Sequence, residues 1–208
     1  MTEQDTTPAP GLGERIGGSG QAVKNGIVSS LKGINEIEAE IVSLVRSTVA
    51  NTVRAAGDVA GETLVVARDV MRGAISATEE VGAGLTLSTK SVAKGVVLGV
   101  SDVGGDVIRA AEATVKAAVQ GAAAVGADVG VIARRAVDGT IEAAGEIGGN
   151  VIDVARGATS GAVDAAGSIG KSAVNTVREL LVGVVGGVKD IAGAALPKRS
   201  EPPSDTQD

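Results

Sequence analysis

The side chains best placed to do chemistry in this 208-residue chain are carboxylate pairs one helical turn apart, Glu36 with Glu40 and Glu142 with Glu146. At i, i+4 spacing both members project from one side of a helix, as they would in a di-carboxylate metal site. Such sites draw histidines from neighbouring helices, and this chain has neither His nor Cys. Imidazole bases, thiol nucleophiles and the usual zinc ligands are therefore missing together. The segment Gly145-Glu146-Ile147-Gly148-Gly149-Asn150 has the glycine density of a phosphate loop, but lacks a preceding strand and a Gly-Lys-Ser/Thr ending. The carboxylates read as solvated helix charges. No catalytic residue, cofactor-binding residue or metal ligand is expected.

The elements that carry these residues repeat every 22 positions. One apolar column reads Ile37, Val59, Val81, Val103, Val125, Ile147, Ile169 and Ile191. A second reads Leu31, Val53, Ile75, Val97, Val119, Ile141, Val163 and Val185. A basic column runs Lys24, Arg46, Arg68, Lys90, Glu112, Arg134, Arg156, Arg178, with Glu112 as its exception. A mostly acidic column runs Glu14, Glu36, Asp58, Glu80, Asp102, Ala124, Glu146, Ser168, Asp190. Twenty-two is two elevens, and an 11-residue period fits a helix of roughly 3.67 residues per turn. At about 98° per residue, Ile37, Ile41, Leu44, Val45, Val42 and Val53 share one wide apolar arc. Arg46 lies on one border, with Glu36 and Glu40 beyond the other. The period of eleven and the shortage of large a/d residues argue against a heptad coiled coil.

The prolines, Pro8, Pro10, Pro197, Pro202 and Pro203, all stand outside the repeat, as a long helical region requires. Abundant Ala and the lack of period-2 alternation disfavour strands, despite the Val, Ile and Thr content. The fold expected is all-α: long amphipathic helices from the 22-residue repeat, extended or folded back as Gly/Ala-packed hairpins. Residues 14–194 form the helical region, between disordered tails at 1–13 and 195–208. A straight helix would run about 270 Å. The pairs Gly104-Gly105, Gly148-Gly149 and Gly186-Gly187 are therefore expected bends.

Glycine, 31 residues in all, also falls in columns. Gly82, Gly104, Gly126, Gly148 and Gly170 lie inside the apolar arc, where a missing side chain lets another backbone approach closely. Gly73, Gly95, Gly139, Gly161 and Gly183 form another column. There is no Phe, Tyr or Trp, so a compact enzyme-like core is not expected. The net charge of −6, with no basic stripe and no aromatic to stack on a base, argues against nucleic acid. No apolar stretch reaches the length of a transmembrane helix and no signal peptide is evident at the N-terminus, which points to the cytoplasm.

The columns beginning at Ile37, Val53, Arg46 and Glu36 resemble the 11-residue amphipathic repeats of proteins that coat lipid surfaces: perilipins, exchangeable apolipoproteins and synucleins. The Val/Ala/Thr/Gly-rich face is most similar to the perilipin repeat region. Phasins and late-embryogenesis-abundant proteins share the helical character. The lysine-rich synuclein motif is absent, and the chain is much less charged than late-embryogenesis-abundant proteins. The resemblance implies a non-catalytic structural protein, cytoplasmic and peripheral on a lipid or polymer surface, with no cofactor, nucleic-acid or metal partner. Its working face would be Ile37, Val53, Val59, Ile75, Val81, Val97, Val103, Val119, Val125, Ile141, Ile147, Val163, Ile169 and Val185. The alternatives are a homo-oligomer that self-assembles as a Gly/Ala-packed helical bundle or filament, and a stress protectant of the late-embryogenesis-abundant type.

Overall fold

The computed structural model describes residues 33, 36–56, 59–81 and 85–195. The expected tails at 1–13 and 195–208 lie outside these, except Ala195, which is the last residue of a helix. The chain divides into two compact units, Met1–Ala39 and Glu40–Asp208. In the first, residues 33 and 36–39 are helical. The second contains helices at 40–56 (α1), Val59–Val81 (α2), Leu85–Ser101 (α3), Val107–Ala124 (α4), Val129–Glu146 (α5), Val151–Ile169 (α6) and Lys171–Ala195 (α7). No strand occurs among the described residues. The fold is all-α, and the repeat is folded back rather than extended.

Each fold-back is written by the same few residues. After α3, Gly105 N–H bonds to the Val100 carbonyl at 3.0 Å and Gly104 N–H to the Ser101 carbonyl at 3.0 Å. This crossed 6→1 and 5→2 pair is a Schellman stop, and it needs a left-handed residue at the fifth position. Gly104 supplies it with φ 71°. The same bonds recur from Ala127 to Ala122 and Gly126 to Ala123, then from Gly149 to Ala144 and Gly148 to Gly145. Gly126 and Gly148 sit at φ 70° and 69°. The next helix is then started by a side chain. Asp106 accepts from Ile108 and Arg109 N–H, Asp128 from Gly130 and Val131 N–H, and Asn150 from Asp153 N–H, each filling backbone donors that a helix start leaves open. Ile147-Gly148-Gly149-Asn150, the glycine-rich segment noted above, is thus one stop-and-start signal.

This corrects the role of one glycine column. Gly104, Gly126, Gly148 and Gly170 have open space where a Cβ would project, so they are turn residues and not close-packing ones. Gly82 lies outside the described residues. Close packing falls instead to the column of Gly95, Gly139 and Gly161. A Cβ on Gly95 would stand 2.9 Å from the Val42 carbonyl oxygen; on Gly139 it would strike the Lys90 carbonyl, and on Gly161 the Glu112 carbonyl. Gly99 adds a similar approach, 2.7 Å from the Arg46 carbonyl. Gly104-Gly105 and Gly148-Gly149 are bends as expected, whereas Gly186-Gly187 stay within α7.

These contacts define the topology. Each joins a helix to the one two places earlier: α1 to α3, α3 to α5, α4 to α6. Residue numbers rise together along both partners, so these neighbours are parallel. Helices two apart pack more extensively than consecutive ones from α2 to α6, which puts odd and even helices in separate layers. Between the layers lies a core of small side chains. Val53, Val97 and Val119 are wholly buried and Ile75 nearly so. Ile141 and Val163 pack against it half-buried.

The first apolar column behaves differently. Val125 and Ile147 cap the ends of α4 and α5 and are half-buried, as is Val103. Ile37 and Ile169 are exposed, at 52% and 43%. The reason is the turn: once the helix stops every 22 residues, a constant angle per residue no longer carries a face through the break. The side chains of Val59, Val81 and Val185 lie outside the described set.

Gly139→Ala and Gly161→Ala should each destabilise the protein by about 1–3 kcal/mol through overpacking. Gly73→Ala, on open helix surface, should instead stabilise by about 0.5–1 kcal/mol. Urea unfolding midpoints of the three variants measure both effects.

Candidate functional site

Glu142 and Glu146 hold two lysines. Lys90 Nζ lies 2.7 Å from Glu142, and Lys94 Nζ lies 2.9 Å from Glu142 and 2.8 Å from Glu146. All four residues flank the α3–α5 seam, two on each helix. The seam between α4 and α6 is joined by Lys116 with Asp164, and that between α1 and α3 by Arg46. The Arg46 guanidinium grips Asp102 with two hydrogen bonds, at 2.7 and 2.8 Å, the geometry in which Arg pairs best with a carboxylate. Cations and carboxylates therefore meet across glycine seams, Arg46 and Asp102 joining the basic column to the acidic one. Further along the basic column the pairing turns local: Arg134 approaches Asp138 at 4.0 Å and Arg156 bonds Asp153 at 3.2 Å.

The local fields follow from this pairing. The hydrogen bond from Lys90 holds the Glu142 carboxyl below the usual range, against the opposing effect of burial, with Lys94 adding to it. The Arg46 hydrogen bond lowers Asp102 in the same way. Burial disfavours the charge on Lys94, yet its bonds to Glu146 and Glu142 outweigh that and raise its pKa. Burial raises Asp138, only partly countered by Arg134, Arg135 and Lys90. Among the described residues, no group of three or more carboxylates is placed to hold a metal ion.

One concave site stands out from the paired seams. A groove of about 440 Å³ runs between α2 and α4, lined by Arg68, Arg72, Arg109, Lys116, Glu112 and Gln120. Leu64, Ala113 and Ala117 form its floor. Sequence reasoning missed it because the cations come from two helices separated by α3, and only Arg68 belongs to a column singled out by the repeat. The signal was present in two of the three exceptions to the charged columns, Glu112 and Ala124, the third being Ser168.

The residues expected to form a continuous apolar face are not brought together on the surface. Val53, Ile75, Val97 and Val119 enter the core, and the exposed aliphatics Leu44, Val65, Ile108, Val131, Ile169 and Val182 are spread over α1, α2, α4, α5, α6 and α7. No described helix is long and apolar enough to cross a membrane. No protein family, curated protein or solved structure matches the chain.

Because Glu142 is held below its ordinary pKa, its contribution is full at neutral pH and is lost as pH falls through the carboxylate range. Glu142→Gln should cost about 0.2–1 kcal/mol near pH 7, since the pair is part-exposed, and this penalty should fade as pH falls through the carboxylate range. Asp138 has the opposite sign: with its pKa raised in the fold, it favours stability when protonated, and this is lost as pH rises through that value. Asp138→Asn should therefore gain stability at neutral pH relative to acid. Chemical unfolding across this range checks both.

Proposed function

We propose that this protein is a non-catalytic structural protein, a self-packed stack of Gly/Ala-seamed helices that associates with further copies of itself. The observation that carries this reading is the burial of the apolar stripe inside the chain's own layers, with Val53, Val97 and Val119 fully removed from water. Fully burying a valine is worth about 1.5–3 kcal/mol. A surface-coating role would have to recover that by parting the layers. Repeat arrays in which each unit meets only its neighbours leave a docking face at their ends. Here α7 carries Gly183 at the register position of Gly139 and Gly161, yet nothing lies over it, and the adjacent Val182 is 72% exposed. A helix from a second copy would find there the kind of small-residue surface that seats α3 against α5.

The lipid- or polymer-coat reading keeps one observation in its favour: a core without aromatics, built largely from Ala and Val, opens at lower cost than an ordinary one. The two readings separate in far-UV circular dichroism and flotation. Under the stack reading, helicity is already high in buffer, changes little with neutral vesicles, and the protein does not float. Light scattering should give an oligomer that Val182→Asp dissociates. A large gain of helix with flotation would favour the coat, and a monomer unaffected by Val182→Asp would remove self-association.

A further inference from the structure

The α2–α4 groove is where the ion-pair code of the repeat is broken. Between α3 and α5, Lys90 and Lys94 are neutralised by Glu142 and Glu146. One repeat later, Lys116 still finds Asp164. One repeat earlier, both cations are kept, as Arg68 and Arg72, while both carboxylates are gone: the positions of Glu142 and Glu146 are taken by Gln120 and Ala124. Arg109 and Lys116 add two more cations from α4, against the single carboxylate of Glu112. Arg68, Arg72 and Arg109 make no ion pair or side-chain hydrogen bond within the described residues. In a chain of net charge −6, four cations and one carboxylate therefore share a concave wall, and three of the cations lack the counter-charge that the neighbouring seam provides.

We infer that this groove is a binding site for a phosphate-bearing ligand. Arg68 and Arg72 stand one turn apart on α2, so their forks can engage separate oxygens of one group. Planar guanidinium groups pair with phosphate through two parallel N–H···O bonds. Arg109 and Lys116 face them from the parallel helix, two turns apart, with Glu112 between. With Lys116 already paired to Asp164, the three arginines less Glu112 leave an excess of two positive charges, which suits a group carrying two negative charges, as in a phosphate monoester or a diphosphate. The volume is that of a small-molecule site, and apolar Leu64, Ala113 and Ala117 leave room for an organic portion. Low-dielectric walls focus the field of unpaired cations into such a cleft. The phosphate could belong to a soluble molecule or to a lipid headgroup, and the site chemistry is the same for both.

The test uses the full chain at about 0.1 M salt, where longer-range attraction is screened. Inorganic pyrophosphate is titrated by calorimetry, and flotation is measured with phosphatidylcholine vesicles with and without phosphatidic acid. Saturable pyrophosphate binding without flotation identifies a soluble ligand; flotation that depends on phosphatidic acid identifies a headgroup. Gln120→Glu with Ala124→Glu rebuilds the α3–α5 ion-pair pattern in the groove and should weaken binding at least tenfold while circular dichroism stays unchanged. Arg68→Gln with Arg72→Gln should do the same. Arg134→Gln with Arg135→Gln, which removes equal charge elsewhere, should leave binding intact. Neither pyrophosphate binding nor phosphatidate-dependent flotation in the wild type would overturn the inference, as would equal losses in the groove and Arg134/Arg135 variants.

Discussion

Helix backbones can touch in this protein because Gly95, Gly139 and Gly161 have no side chain to hold them apart. Where a glycine meets the carbonyl of Val42, Lys90 or Glu112, two parallel helices come closer than any pair of larger residues would allow. That proximity is what lets Val and Ala fill the space between layers without aromatic bulk, and it brings lysines and carboxylates on the flanks within bonding distance. The ion pairs and the core both follow from the seam. Without it, Lys90 and Glu142 would be two solvated charges on separate helices, and the small core would be full of voids.

The turn signal is independent of the seam and equally local. A Schellman glycine stops a helix, and Asp106, Asp128 or Asn150 starts the next. Each signal fills the backbone donors and acceptors that a break in a helix exposes. The last junction departs from this pattern. Gly170 adopts φ 149° and α7 begins at once with Lys171, without a capping carboxylate. At this same junction the packing preference changes, α7 lying more extensively against α6 than against α5.

The helical class and the repeat length were legible in the sequence, but close packing was assigned to the wrong glycine column. What misled was treating 22 residues as two elevens of one continuous helix. On that premise Gly104, Gly126 and Gly148 fell inside the apolar arc, and Ile37 and Ile169 joined the working face. The breaks at Val103-Gly104-Gly105-Asp106 and Ile147-Gly148-Gly149-Asn150 were legible as glycine pairs, whereas the one at Val125-Gly126-Ala127-Asp128, with Ala in place of the second glycine, needed the stop-and-start signal to be read as such. The groove was harder to foresee, because columns compare a residue with its own repeat. The juxtaposition of Arg68 and Arg72 with Arg109 and Lys116 requires knowing that partners lie two helices apart.

Alternation between layers gives the chain a parity. A helix keeps its parallel partners only if an even number of units separates it from them. Loss of one 22-residue unit would move every later helix to the opposite layer and give it new parallel partners, whereas loss of two in succession would leave all later helices in their own layer. The heritable unit of length in this architecture is thus the helix pair, although the unit of sequence is the single helix.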